Sequence, residues 1–117
     1  MADPGRILVV DDDAQILLLL RRYLERSGYR VETAGGAAEA LELLQGSGEA
    51  FGLVVTDLSL PAMNGEQMLE EMRRTQPDLP GLISSGYVYV PKSPRTGFLQ
   101  KPYLPQELAK AVKALLR

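Results

Sequence analysis

Short aliphatic and β-branched runs alternate with stretches of helical periodicity along the chain, and this alternation constrains the fold more than any other feature. The first run, residues 6–10 (RILVV), has no polar alternation, which is typical of a strand buried on both faces. Residues 14–26 keep their apolar side chains at helical spacing, and Gly28 follows where a C-terminal cap belongs. Strands that alternate with helices of this size indicate βαβ units and a parallel sheet.

The same signals predict four further strands and three further helices. The strands are residues 29–34, 53–56, 81–84 and 98–100, and the helices are residues 36–45, residues 65–76 and a last helix that begins at Pro105. Because crossovers between parallel strands are right-handed, the helices cover both faces of the sheet. We therefore predict an α/β, flavodoxin-like (βα)5 fold. It is a doubly wound parallel sheet of strand order 2-1-3-4-5, with a site at the carboxyl ends of the strands beside the switch point.

The composition limits the size of the fold and the chemistry that the chain can support. A length of 117 residues suits one compact domain, so we expect a single domain over residues 1–117 with its core at 6–116. The net charge of −2 shows no excess of basic residues of the kind that binds nucleic acid. Because the chain has no Cys and no His, any chemistry has to use carboxylates, hydroxyls, Lys and Arg.

Acidic residues follow two strands that are neighbours in the predicted sheet. Asp11, Asp12 and Asp13 come after the first strand, and Asp57 comes after the third. A solvated acidic turn, with Asp13 as the helix cap, is the alternative interpretation for residues 11–13. Carboxylates that converge repel one another unless a cation neutralises them, and an all-oxygen site of this kind suits Mg²⁺.

A hydroxyl and an amine follow the next two strands. Ser84 and Ser85 end the fourth strand, and Lys101 ends the fifth. Taken alone, a serine at a strand end is usually a turn residue and a single lysine is usually solvated. Together with the acids they indicate a phosphoryl-transfer site, where cations stabilise charge on the phosphoryl oxygens. The carboxylate of Asp57 can attack phosphorus directly and form an acyl phosphate.

In combination these motifs resemble the response-regulator receiver family of two-component signalling. The resemblance is carried by residues 7–13 (ILVVDDD), residues 57–65 (DLSLPAMNG), Ser85-Gly86 and Lys101-Pro102, and it covers residues 6–116. Residues 83–87 (ISSGY) and 97–103 (GFLQKPY) look most like receivers attached to hybrid sensor histidine kinases. Because no output domain accompanies the motifs, we expect a stand-alone or an excised receiver.

The resemblance implies a role for each acidic residue. Asp57 is the phosphoacceptor. Asp12 binds Mg²⁺ directly, whereas Asp11 binds it largely through water. The main-chain carbonyl of Ser59 joins Asp57 in completing the protein ligands of the metal.

The resemblance also implies the parts of the switch. Ser85 hydrogen-bonds a phosphoryl oxygen, and Lys101 pairs with the phosphate. Phe98 occupies the aromatic switch position that turns inward when Ser85 moves. The peptide bond between Lys101 and Pro102 is expected to be cis.

The implied function is a phospho-accepting signalling switch. Asp57 would accept the phosphoryl group, with Mg²⁺, from the phosphohistidine of a histidine kinase or a histidine phosphotransfer domain. The domain is expected to be regulatory rather than an enzyme, although it assists its own phosphorylation and dephosphorylation. We expect a cytoplasmic location, no direct binding of nucleic acid, no membrane insertion and at most a weak homodimer.

Three alternatives share part of this pattern. An aspartate-nucleophile phosphatase of the haloacid dehalogenase type needs a second Asp two residues after the nucleophile, where this chain has Ser59. A flavin binder of the same topology needs a loop rich in Ser, Thr and Gly where this chain has the acidic residues 11–13. A pseudo-receiver, an interaction module that never turns over phosphate, is the alternative that stays open.

The segment between Ser85 and Lys101 departs from the family pattern. Residues 86–100 have to supply both a helix and the fifth strand, yet Pro91 and Pro94 interrupt them. Since proline inside a helix costs ~3 kcal/mol or more, two in four residues exclude a regular helix. We predict that this fourth helix is absent or reduced to a turn and is replaced by a mobile loop. Signalling would then work through ordering of the loop upon phosphorylation.

Two leucines of the first helix are candidates for a partner contact. The inward side of this helix is expected to be centred on Ile16, Leu20 and Tyr23, which leaves Leu17 and Leu18 outside it. Scattered exposed leucines are normal. Two together beside the site suggest an apolar patch, and in the receiver family the histidine-bearing helical bundle docks on the first helix.

Overall fold

The computed structural model describes residues 2–46 and 50–116, which form a five-stranded parallel sheet with helices on both faces. The elements are β1 (Ala2–Val10), α1 (Ala14–Arg26), β2 (Arg30–Ala34), α2 (Ala37–Gly46), β3 (Ala50–Asp57), α3 (Gly65–Thr75), β4 (Gly81–Ser85), β5 (Thr96–Gln100) and α4 (Pro105–Leu115). The strand order is β2-β1-β3-β4-β5, with every pairing parallel. The predicted fold class and strand order are therefore confirmed.

Two strands are longer than the sequence indicates. β1 begins at residue 2 instead of residue 6, and β3 begins at residue 50 instead of residue 53. The first two residues of each strand pair with one another, and the register shifts between Asp3 and Ile7. Pro4 and Gly5 lie within this irregular stretch. Neither residue favours a regular strand interior, which explains why the sequence pattern missed the extension.

The apolar core consists of two clusters, one on each face of the sheet. Leu8 and Val10 of β1 belong to the cluster that packs against α2 and α3, whereas Ile7 and Val9 belong to the cluster that packs against α1 and α4. Because successive strand residues point to opposite faces, a strand covered on both sides has to be continuously apolar. This packing explains the uninterrupted run in β1 and brings its carboxyl end to the middle of the sheet edge.

Local capping fixes where two of the helices begin or end. The side chain of Asp13 accepts hydrogen bonds from the backbone N–H groups of Gln15 and Ile16, which confirms it as the N-cap of α1. At the other end of α1, Gly28 has a φ of 93°, a left-handed conformation that favours glycine. Asn64 and Gln67 form a reciprocal capping box at the start of α3.

The inward side of α1 contains the residues predicted for it and one more. Leu20 and Leu24 are buried, and Ile16 and Tyr23 pack against the same cluster, as predicted. Leu17, which was expected to lie outside this side of the helix, also packs against the cluster, so the apolar face is wider than predicted. Leu18 is 51% exposed, as expected, but its exposed neighbour is Leu19, which is 43% exposed.

Residues 86–95, which we call the β4–β5 segment, contain no helix in the structure. The prediction that a helix is missing between the fourth and fifth strands is therefore confirmed. Tyr87, Val88 and Val90 are well exposed, whereas Tyr89 packs against the apolar cluster beside α3. No described helix combines the length and the apolar character that crossing a membrane requires.

Candidate phosphoacceptor site

Three carboxylates converge where β1 and β3 end side by side. Val10 pairs with Thr56 in the parallel register, so Asp11 and Asp57 leave the sheet next to each other. Carboxylate oxygens of Asp11, Asp12 and Asp57 lie within 4.8 Å of one another. Asp11 is buried, Asp57 is half-buried and Asp12 is exposed. The acidic cluster, as we call these three residues, therefore opens to solvent on the side of Asp12.

The cap of α1 also positions Asp11. The backbone N–H of Asp13 donates a hydrogen bond of 2.9 Å to Oδ1 of Asp11. Burial raises the pKa of the Asp11 carboxyl above its ordinary value of 3.8. The Asp13 N–H and Lys101 oppose this rise in pKa, whereas the neighbouring carboxylates of Asp57 and Asp12 add to it. A further cation in the cluster would favour the ionised form of Asp11.

Lys101 provides a positive charge that contacts the acidic cluster. Its Nζ lies 3.3 Å from Oδ1 of Asp57 and 3.8 Å from Oδ2 of Asp11. The backbone N–H of Lys101 donates a 2.7 Å hydrogen bond to the carbonyl of Ser85, which fixes the end of β5 against β4. The peptide bond between Lys101 and Pro102 is cis, as expected.

Ser85 is buried at the end of β4, on the strand next to Asp57. Ser84 is paired with Asp57 in the register of β3 and β4. The Oγ of Ser85 accepts a 3.2 Å hydrogen bond from the backbone N–H of Tyr87. A hydroxyl has one donor and two lone pairs, so this contact leaves the proton of Ser85 available for another acceptor.

The loop after Asp57 is tightly folded back onto β3. The N–H of Gly65 donates a 2.8 Å hydrogen bond to the carbonyl of Leu58. A Cβ at position 65 would lie 2.5 Å from the carbonyl oxygen of Asp57, so only glycine fits here without a shift of the backbone. Ala62, within the loop, has a φ of 73°, a conformation that is costly for a residue with a side chain. Ser59, two residues after Asp57 in this loop, is exposed.

Phe98 lies on β5, the strand that follows the β4–β5 segment. It is half-buried, and its ring centroid is 6.3 Å from that of Tyr89, with the planes tilted by 55°. This tilted geometry is favourable for aromatic pairs. The predicted switch residue therefore has an aromatic partner in the segment that replaces the expected helix.

Two ionisable residues near the site were not singled out in the sequence. Burial raises the pKa of the Tyr103 phenol to about 12, and the negative charges of Asp11 and Asp57 contribute to the rise. Glu66, in the first turn of α3, is only 4% exposed although it carries a carboxylate. Neither residue has a local sequence signal, because both environments are created by segments distant in the chain.

The fold and the acidic cluster together define the receiver class of signalling domain. The sequence profile described as "Response regulator receiver domain" matches residues 7–113, and the chain belongs to this family. It is a regulatory signalling module of two-component systems, and its family implies phosphoacceptor signalling. Receiver domains bind Mg²⁺ at an acidic cluster, and Asp11, Asp12 and Asp57 form such a group here.

Curated relatives include both hybrid kinases and response regulators. The chain is 34% identical over 122 residues to the sensor kinase CckA of Brucella abortus, an alignment that covers 99% of this chain and 13% of the kinase. It is 36% identical over 120 residues to the response regulator MprA of Mycolicibacterium vanbaalenii, covering 97% of this chain and 51% of the regulator. The chain thus spans an eighth to a half of the length of these relatives.

Solved receiver structures superpose over almost the whole chain. The receiver domain of the hybrid histidine kinase CckA has a TM-score of 0.86 at 30% identity and covers 97% of this chain and 100% of that one. A CheY-like receiver domain protein from Methanospirillum hungatei has a TM-score of 0.83 at 32% identity, covering 95% and 92% of the two chains. The chain is therefore similar both to the receiver of a hybrid histidine kinase and to a CheY-like receiver.

Proposed function

We propose that this receiver is a phospho-accepting switch in which Asp57 takes a phosphoryl group from the phosphohistidine of a histidine kinase or a histidine phosphotransfer domain. The observation that supports the assignment most directly is the geometry of the acidic cluster. Its three carboxylates lie within 4.8 Å, and Nζ of Lys101 is 3.3 Å from the carboxylate of Asp57. A carboxylate surrounded by like charges and one ammonium group is arranged for phosphoryl transfer rather than for fold stability.

The residues of the cluster fit Mg²⁺, because carboxylate oxygens are the ligands that this ion prefers. Asp11, Asp12 and Asp57 would hold it, with the main-chain carbonyl of Ser59 as a further ligand. When bound, the metal supplies positive charge that stabilises the oxygens of the transferring group.

The transfer itself uses the residues of the chain. A carboxylate oxygen of Asp57 forms a bond to phosphorus while the bond from phosphorus to the histidine nitrogen breaks, and the imidazole leaves and acquires a proton from solvent. Lys101 lies where its ammonium group can pair with a phosphoryl oxygen. Ser85 keeps a hydroxyl proton that can be donated to another one.

A groove beside Lys101 suits the approach of the donor protein. Leu19 and Tyr23 of α1 line it on one side, and Pro102 and Tyr103 line it on the other. Its lining is mainly apolar. Lys101 belongs to the lining and also contacts Asp57 of the acidic cluster. We propose that the histidine-bearing helices of the donor dock in this groove.

Phosphorylation by a small donor tests the proposal. We expect incubation with acetyl phosphate and Mg²⁺ to add one phosphoryl group to the wild-type chain, detected by intact mass. Asp57→Asn should abolish the labelling because an amide is a poor nucleophile. Asp13→Asn is the matched control and should label normally, since Asn caps a helix as well as Asp does.

The same experiment separates the proposal from the pseudo-receiver alternative. A pseudo-receiver would acquire no phosphoryl group in the wild-type chain, whatever the Mg²⁺ concentration. Labelling of Asp57→Asn at the wild-type level would show that another residue is the acceptor. Either result contradicts the proposed function.

A further inference from the structure

The carboxylate of Glu66 collects four hydrogen bonds from the β4–β5 segment. Its Oε1 accepts a hydrogen bond from the phenol of Tyr89. Its Oε2 accepts from the backbone N–H groups of Lys92 and Ser93, both at 2.8 Å, and from Oγ of Ser93 at 2.7 Å. Glu66 is only 4% exposed, so α3 contributes a buried, fully occupied carboxylate to hold a segment that has no helix of its own.

Arg73 extends this attachment two turns further along the same face of α3. Its guanidinium donates to Oγ of Ser93 at 3.0 Å, to the carbonyl of Arg95 at 3.3 Å and to Oγ1 of Thr96 at 3.0 Å. Ser93 therefore contacts both charged residues, donating to the carboxylate and accepting from the guanidinium. The second half of the β4–β5 segment is anchored on α3, whereas the predicted mobility of the loop stays a prediction.

The same segment contacts both residues of the switch. Near its start, the N–H of Tyr87 is bonded to the hydroxyl of Ser85. In its middle, the ring of Tyr89 packs on Phe98 while its phenol is bonded to Glu66. The β4–β5 segment therefore connects Ser85 and Phe98 to Glu66, through the backbone of Tyr87 and the ring of Tyr89.

We propose that Glu66 is a positioning residue of the switch, which holds the β4–β5 segment on α3 in the unphosphorylated chain and so opposes phosphorylation of Asp57. The inference rests on the proposed function, because it requires Asp57 to be the acceptor. Glu66 acts through Tyr89 and Ser93 and does not contact the acidic cluster. Release of its hydrogen bonds is the step that frees Phe98 and Ser85 to move, so the proposed direction is the reverse of the ordering upon phosphorylation that the sequence suggested.

The carboxylate of Glu66 stays ionised over the whole neutral range. Burial raises its pKa, but the hydrogen bonds from Tyr89, Ser93 and Lys92 together lower the pKa to about 2. A change of pH near neutrality therefore does not release the segment. Release has to come from the site itself, through Ser85 and Phe98.

Three substitutions differ in how many of the four hydrogen bonds to the side chain at position 66 they retain. In Glu66→Ala all four donors lose their acceptor. In Glu66→Gln the amide oxygen can face the three donors on Lys92 and Ser93, while its NH₂ group donates to the phenol oxygen of Tyr89. Tyr89→Phe removes one hydrogen bond and leaves the ring on Phe98. Glu71→Gln is the control, since Glu71 pairs only with the exposed Arg74 in the described part of the chain.

The test is the rate of phosphorylation by acetyl phosphate at a fixed Mg²⁺ concentration. We expect Glu66→Ala to be faster than wild type by about 5-fold or more, the lower range of typical coupling between sites. Tyr89→Phe should be accelerated less. Glu66→Gln should stay close to wild type, as should Glu71→Gln. Phosphorylation of the wild-type chain should in turn speed amide exchange at Lys92 and Ser93, whose N–H groups lose their acceptor when the segment is released.

Rates for Glu66→Ala and Tyr89→Phe at or below that of Glu71→Gln would overturn the inference, as would unchanged amide exchange at Lys92 and Ser93 on phosphorylation. If Glu66→Ala does not fold, Tyr89→Phe and the exchange measurement on the wild-type chain still decide the matter. A wild-type chain that takes no phosphoryl group overturns the proposed function and this inference together. A wild-type chain that labels while the variants show no acceleration overturns the inference alone.

Discussion

Each aspartate of the acidic cluster has a different environment. Asp11 is buried, with Oδ1 bonded to the N–H of Asp13 and Oδ2 near the ammonium group of Lys101. Oδ1 of Asp57 also lies near the ammonium group of Lys101. Asp12 is exposed, and the structure shows no hydrogen bond on its carboxylate among the described residues. Of the three, Asp12 is therefore the one whose oxygens need the least rearrangement to bind a cation.

This difference predicts unequal effects of removing the two aspartates on Mg²⁺ binding. We expect Asp12→Ala to raise the Kd for Mg²⁺ by about tenfold or more, which corresponds to ~1.4 kcal/mol. Asp11→Ala should raise the Kd by less, because the receiver resemblance implies that Asp11 binds the metal through water, and loss of such a ligand would be easier to compensate. Titration of both variants with MgCl₂, followed by NMR or calorimetry with Asp13→Asn as the control, measures the order. The reverse order would contradict direct ligation by Asp12.

At the scale of elements, α1 contributes to the core and also to the apolar groove beside Lys101. The inward face of α1 packs on the sheet, and Leu19 lines the groove beside Lys101. The residues of the inward face are Ile16, Leu17, Leu20, Tyr23 and Leu24. Leu18 points further out and is the more exposed of the two surface leucines. The exposed leucine pair of α1 is therefore Leu18 and Leu19 instead of the predicted Leu17 and Leu18.

The geometry of α1 predicts a selective defect in phosphotransfer. We expect Leu19→Glu to slow transfer from a phosphorylated histidine kinase by about tenfold or more, since a charge would be buried on docking. Phosphorylation by acetyl phosphate should be unchanged. Leu18→Glu should have a smaller effect. The control is Ala38→Glu, which adds the same charge on α2, where the residue is exposed. Equal transfer rates for Leu19→Glu and Ala38→Glu would show that the groove does not receive the donor.

The whole molecule responds to acid through carboxylates whose pKa values move in opposite directions on folding. Burial raises the pKa of Glu66, but the hydrogen bonds from Tyr89, Ser93 and Lys92 outweigh it and lower the pKa from 4.5 to about 2 in the folded chain. A lowered folded-state pKa contributes stability that is fully present above the unfolded pKa and is lost as the pH falls towards 2. Burial raises the pKa of Asp11, so its protonation favours folding and partly offsets this loss when no divalent cation is bound.

Acid unfolding therefore measures the contribution of Glu66. We expect the free energy of unfolding of the wild-type chain to fall between pH 5 and pH 2.5. In Glu66→Gln the fall should be smaller by about 2–3 kcal/mol, from a pKa shift converted at 1.36 kcal/mol per unit. Urea titrations at each pH, with EDTA present, give both values, and Glu71→Gln serves as the control. Parallel pH curves for wild type and Glu66→Gln would show that folding does not lower the pKa of Glu66.

The sequence by itself determined the sheet and the location of the site. Continuous apolar runs have to be strands covered on both faces, helical periodicity alternates with them, and parallel strands bring their carboxyl ends to one edge. Asp11, Asp12, Asp57, Ser85 and Lys101 each follow or end such a run, so they were expected to meet without any knowledge of the structure. Pro91 and Pro94 were sufficient to exclude the fourth helix, because proline acts on the local backbone.

Only the tertiary structure decided what holds the segment that replaces this helix. Glu66 looks like an ordinary acidic residue in the first turn of an exposed helix, and its burial depends on Tyr89 and Ser93, which are 23 and 27 residues away. The extension of β1 past Pro4 and Gly5 likewise depends on pairing with β3. Local sequence patterns indicate which backbone conformation a segment favours. The hydrogen bonds of Glu66 depend instead on the fold, which brings α3 next to a segment that is distant in the chain.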